Sequence, residues 1–250
     1  RRVDQYFESN HISKRGGGAL YTKALILLSS AVLLYGALLF PKPLLIDMLI
    51  AVLLGLDLAL IGFNIMHDGS HGAFSEDKKL NEWAARTLEC MGGDSLLWKA
   101  KHVVLHHSYV NTDEDDDVDY AGLMRILLSH VPRRFHRYQH IYAWILYAPL
   151  HFLWVFYFDI QKMIRKKIGR HQVKFTRWEK WRFRLSKVLY ATAFIVVPIV
   201  IKGWQGLWTY AIMEVVVGMT ISIVFQLAHV TKSSTFQQGG SFIPMSLHEW

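Results

Sequence analysis

With one cysteine, Cys90, among 250 residues, the chain cannot form an internal disulfide or a thiolate metal cluster. Charge is scarce as well. Asp, Glu, Lys and Arg make up 19% of the chain, against about a quarter in soluble globular domains. Acidic residues nearly vanish between 161 and 187, where Glu179 stands among eleven Lys and Arg. There is no H-E-x-x-H, which excludes the helical zinc-protease pattern. Only Glu8 to His11 matches E-x-x-H, whereas carboxylate-bridged di-iron bundles use paired copies. The opening "RRVDQYFESN" is polar and has nothing of a cleaved signal. The basic residues flank apolar runs and form no recognition motif, so the formal charge of +8 does not call for nucleic acid. Anionic lipid at a cytoplasmic membrane face accounts for it.

What the chain has in quantity is apolar length. Hydrophobic residues reach 52% and the mean hydropathy is +0.19. A bilayer core about 30 Å thick takes about 20 apolar residues as a helix, and a helix is the form that satisfies its backbone in lipid. Residues 24–40 are uncharged. Residues 44–66 follow a "PKP" turn and carry only Asp47 and Asp57. Residues 188–201 and 207–228 form a second pair joined by "KGWQG". The expectation is an all-α, multi-pass membrane protein of one domain, its four spans arranged as two hairpins beneath a helical cap. The aromatic run 141–158 is also long enough to cross. Crossing there would carry the basic stretch 161–187 to the wrong side under the positive-inside rule. It is therefore expected to lie as a helix in the headgroup layer. Four spans place both termini, the histidines and the basic stretch in the cytoplasm. Asp57 and Glu214 fall inside spans, where charge is costly, and are expected to pair with each other or with a polar group of the bundle.

The thirteen histidines are unevenly placed. His67 and His71, in "MHDGSHGAFS", are four apart and share a helical face. His102 and His106 repeat that spacing, and His107 follows at about 100° around an α-helix. His229 ends the fourth span. Topology brings all six to one membrane edge, an arrangement suited to metal; imidazoles without thiolates fit iron, zinc or copper. His130, His136, His140 and His171 lie among basic and aromatic residues and read as surface or headgroup groups. His151 reads as interfacial packing, and His11 and His248 carry no signal.

"HDGSH", which follows the second apolar run, and "HVVLHH" match two of the three histidine boxes of the integral-membrane fatty acid desaturases. The surrounding "GFNIMHDGSHGAFS", "LLWKAKHVVLHHSYVNT" and "IVFQLAHV" resemble bacterial acyl-lipid and front-end-type members over nearly the whole chain. The resemblance implies two iron ions and O2, held through His67, His71, His102, His106, His107 and His229. It also implies removal of two hydrogens from a long acyl chain presented as a lipid or a coenzyme A thioester. A third box, Q-x-x-H-H, does not occur before Trp250, so the chain is expected to be C-terminally incomplete. Electrons would come from a separate ferredoxin or cytochrome, and the setting would be a bacterial inner membrane. Asp68, Gln226 and one or two of the acidic run Asp113, Asp115, Asp116, Asp117 and Asp119, with Asp113 and Asp116 put first, are expected behind the ligands, the rest of the run being a solvated loop, and Trp98 is expected beside the acyl channel. A hydroxylase or ketolase on the same scaffold is the nearest alternative, and a membrane scaffold that has lost its chemistry is another.

Overall fold

A computed structural model describes residues 2–113, 115, 117, 122–127, 129–169 and 171–229. It is an all-α, multi-pass membrane protein, with one two-residue hairpin (Lys167–Ile168 against His171–Gln172) as the sheet among the described residues. Four helices are long and apolar enough to cross a membrane: Gly18–Leu39, Leu44–Ser70, Arg177–Lys202 and Trp204–His229.

The second and fourth spans form the centre. Ala51, Leu54 and Leu58 from one and Met213 and Val217 from the other are buried in a single cluster. The first span lies outside them with most of its apolar surface exposed, as a lipid-facing helix requires. At the end remote from the histidines, buried Asp47 binds Lys202 and Gln205, tying the two hairpin turns together.

Helix ends run past the apolar stretches for local reasons. The third helix begins eleven residues before residue 188. There Thr176 accepts a hydrogen bond from the Glu179 backbone (3.2 Å), and Glu179 accepts one from the Thr176 backbone (2.7 Å), a capping box in the T-x-x-E pattern. Inside the spans both carboxylates find polar partners rather than each other. Asp57 accepts from Ser30 (3.0 Å); Glu214 binds His151 Nδ1 (2.9 Å) and the Tyr190 hydroxyl.

The segment 141–158 departs from the single surface helix that its composition suggests. It belongs to two helices, Arg134–Tyr147 and Leu150–Arg165, bent by 69° where Pro149 cannot donate to the helical ladder. His151, just past the bend, is buried (2% exposed). Its partner Glu214 lies fifteen residues from His229, about 22 Å along the helix. The bend therefore meets the fourth span well inside its length. His136 also differs from a surface group: it is buried and hydrogen-bonds the Gly122 carbonyl (3.1 Å). His140 and His171 are exposed, and His248 lies outside the described residues.

Gly218 makes that docking possible. A Cβ there would stand 2.7 Å from the Tyr147 carbonyl oxygen and 2.8 Å from that of Ala148. Small residues commonly let helices approach this closely in membranes. Gly218→Val is expected to lower the melting temperature in detergent by several degrees, since overpacking costs about 1–3 kcal/mol. Gly36→Val, with nothing within 4 Å of the new Cβ, should leave it unchanged in the same thermal scan.

Candidate metal centre

The backbone changes period where the histidines begin. The second span is α-helical to Ile61, π-helical over Gly62–Met66, and α-helical again from His67. The helix carrying the second cluster opens at Ser95, capped by the Asp94 carboxylate (2.9 Å to the Leu97 N–H), and is π-helical over Lys99–His106. Bonding from i to i+5 widens the turn, so residues four and five apart both fall near one face. His102, His106 and His107 consequently share a face that a regular α-helix would divide.

Six imidazoles meet at one end of the bundle. Ring centroids lie 4.5 Å apart for His67–His71, 4.7 Å for His71–His107, 5.5 Å for His67–His102, 4.9 Å for His102–His106 and 4.5 Å for His106–His229. Two sets of candidate ligand atoms lie within 4.8 Å of one another: His67, His71 and His102, and His102, His106 and Asp117. His102 belongs to both. His106 is fully buried and His102 nearly so, while His107 is exposed on the open side.

Carboxylates fix the buried rings from behind. His106 Nδ1 lies 2.8 and 2.9 Å from the two oxygens of Asp115. Asp115 in turn accepts the backbone N–H groups of Asn111 and Asp117, each at 3.0 Å. His102 Nδ1 lies 3.0 Å from Asp117, whose other oxygen binds Lys101. Burial opposes the charge on Asp117, but Lys101 and His102 outweigh it and hold its carboxyl far below the usual range. A carboxylate on Nδ1 sets the tautomer with its proton there and leaves Nε2 as a bare lone pair. The Nε2 atoms of His71, His102 and His106 are indeed buried without a hydrogen-bond partner. Unpartnered buried imidazole nitrogens are costly in a finished polar network, and a metal is the group they fit. At His71, burial first and the neighbouring imidazoles second depress the pKa to about 4, so the ring is neutral and able to ligate at physiological pH. Burial likewise lowers His107, with His102 and His106 adding to the effect.

The remaining expected residues take varied places. Asp68 stands 3.7 Å from His67 Nδ1, too far for a good hydrogen bond. Asp113 accepts from Ser129, and Asp116 lies outside the described residues. Trp98 stacks on His102 at 4.4 Å and meets His67 edge-on at 5.8 Å. Gln226 sits half-buried one turn before His229. Asp115 and Asp117 are the members of the acidic run that face the rings, in place of Asp113, and Asn111, whose amide donates to the His229 carbonyl (3.1 Å), is a contributor that the sequence did not single out. Their shared signal is only a loop that returns to the helix just ahead of it.

The sequence model of one family, Fatty acid desaturase, matches residues 43–242, four-fifths of the chain and all six imidazoles. The chain belongs to the fatty acid desaturase family. Among desaturases of known kind, it is 32% identical over 260 residues to an sn-1 linoleoyl-lipid 6-desaturase of Arthrospira platensis, covering 100% of this chain and 69% of that one. It is 30% identical over 244 residues to an acyl-lipid (8-3)-desaturase of Physcomitrium patens, covering 94% and 51%. A chloroplastic acyl-lipid (7-3)-desaturase of Chlamydomonas reinhardtii is 39% identical over 104 residues, 41% of this chain and 20% of that one. This desaturase chain thus spans about half to two-thirds of the relatives it matches over most of its own length. No solved structure matches it. "HDGSH" lies at the end of the second span and "HVVLHH" on the capped helix, their imidazoles facing one another.

Proposed function

We propose that this desaturase chain removes two hydrogens from adjacent methylene carbons of a long acyl group held in a membrane lipid, using O2 and two histidine-bound iron ions. The observation that carries this reading is the trio of buried, unpartnered Nε2 atoms on His71, His102 and His106, two of them backed by carboxylates on Nδ1. His67, His107 and His229 border the same space and would join them as ligands. Iron, when bound, supplies the oxidising power that an unactivated C–H bond requires. The reaction balances when the acyl chain gives up two hydrogens and a carrier adds two electrons, with two protons taken from water, so that O2 leaves as two waters.

The chain's own residues supply geometry. Asp115 and Asp117 hold His106 and His102 in one tautomer and one orientation, and Lys101 offsets the charge of Asp117. Trp98, flat against His102, is an apolar wall for an acyl chain laid beside the metals. Gln226 offers an amide one turn from His229 for a polar ligand. The relatives named for acyl-lipid substrates favour a lipid over a coenzyme A thioester. Clustering of six imidazoles at one end, with His151 the one buried deeper along the spans among the described residues and bound there to Glu214, disfavours a metal carrier. The eleven Lys and Arg of residues 161–187 favour a cytoplasmic placement of that end, as in a bacterial inner membrane. The same charges suit an acidic electron carrier such as a ferredoxin or a cytochrome.

The test is expression of the full-length gene in a host lacking polyunsaturated lipids, followed by gas chromatography and mass spectrometry of separated lipid classes. A new double bond, two mass units lighter and appearing first in intact lipid, is the expected result. An acyl chain gaining an oxygen would overturn the desaturase reading in favour of a hydroxylase. No product from iron-loaded protein supplied with reductant would overturn both.

A further inference from the structure

The third span reaches across to the helix that bears the second histidine cluster. Lys187 is buried on that span, and its ammonium donates to Asp159 Oδ2 (2.8 Å) and to the Gly92 carbonyl (2.5 Å). Asp159 is also buried and accepts from Trp154 Nε1 through its other oxygen (3.0 Å). One cation thus joins three elements: the third span, the second arm of the bent pair, and the turn that leads into the second cluster.

That turn has little freedom. Gly92 has φ +85°, and a Cβ on it would stand 2.7 Å from the Tyr190 ring of the third span. Two residues on, Asp94 caps the helix start. Arg182, five residues before Lys187, approaches Asp94 at 3.5 Å and Glu89 at 3.9 Å. Ser95 donates to Glu89 at 2.7 Å, closing the turn on itself. From the cap the helix runs without a break to His102, His106 and His107, while Leu97 and Leu105 on its other face pack with Phe183 of the third span. The start, the axis and the back face of this helix are all referred to one neighbour.

A buried ion pair is a poor device for stability alone, because desolvation offsets most of the attraction. Its directionality makes it better suited to fixing a position. We infer that Lys187 is a positioning residue for the metal centre: by fastening Gly92 and Asp159 to the third span, it sets where the second cluster presents its imidazoles. This rests on the iron reading above and adds a residue with no contact to any ligand.

The experiment uses the full-length protein in nanodiscs of neutral phospholipid. Lys187→Met removes the cation while keeping length and packing. Asp47→Asn is the control, since it weakens another buried charge pair, Asp47–Lys202, at the end of the bundle remote from the histidines. Iron(II) affinity is measured by titration, and cobalt(II) is substituted so that its visible spectrum reports ligand geometry. Lys187→Met should bind iron about 10–100-fold more weakly, the loss typical of groups that orient metal ligands, with a shifted cobalt spectrum; Asp47→Asn should change neither. Wild-type affinity and spectrum in Lys187→Met would overturn the inference, as would equal losses in both variants. If Lys187→Met does not fold, Asp94→Asn, which keeps a cap acceptor but weakens the hold of Arg182, is read against the same control with the same outcomes. A wild-type protein that takes up no iron would instead defeat the iron reading itself.

Discussion

Replacing His106 by alanine is expected to abolish double-bond formation and to strip most of the iron from the protein. The ring is fully buried between Asp115 and the other imidazoles, with its centroid within 5 Å of those of both His102 and His229. No neighbour can take its place. Removing it also leaves the Asp115 carboxylate buried without the cation-capable partner it faces, and breaking a buried pair from one side typically costs about 3–5 kcal/mol. Loss of metal and loss of stability should therefore appear together. Iron per chain by plasma emission spectroscopy and the melting temperature of the purified protein measure the two. His171→Ala, on an exposed hairpin position, should alter neither, and retention of full iron content by His106→Ala would remove this ring from the centre.

The second large effect is expected at Asp115→Asn. The change is nearly isosteric, yet the carboxylate now accepts three N–H groups: His106 Nδ1 and the backbone of Asn111 and Asp117. An amide has one acceptor oxygen, and its NH2 would face a donor. Either His106 turns over its tautomer and presents a protonated Nε2 to the metal, or a backbone N–H loses its partner at a cost of about 1–3 kcal/mol. Both routes weaken binding, by about 10–100-fold on the precedent of groups that orient metal ligands. Asp113→Asn, whose carboxylate lies on Ser129, should bind iron as the wild type does. Titration of iron(II) into the metal-free proteins compares them directly, and equal affinities for the two variants would contradict the geometry.

That contrast marks where the residues stop being readable in order. Four spans followed from uncharged length, and the convergence of the histidines at one end followed from counting them. Both depend on properties that are nearly additive along the chain: hydropathy per residue and rise per residue. The acidic run after His107 is different. Asp113, Asp115 and Asp117 alternate along one loop, and which of them faces a ring depends on how that loop folds back, which hangs on Asn111 at φ +57°. No period in the run distinguishes them. The aromatic segment around Pro149 misleads for a related reason. Its composition suits an interface, but its one decisive contact, His151 with Glu214, joins residues 63 positions apart. In the sequence Lys187 is one of eleven basic residues suited to a charged membrane face, and only its burial between Asp159 and Gly92 separates it from the rest.

The widened turn over Lys99–His106 carries a consequence of its own. Which side chains look toward the imidazole cluster is set there by how many residues the coil contains, irrespective of what most of them are. Conservative exchanges at Ala100, Val103 or Val104 leave that tally intact. Excising Val103 or Val104 would instead place His107, in place of His106, four residues after His102, bringing the exposed imidazole to the register that the buried one now holds. The helix is thus tolerant of spelling and intolerant of length.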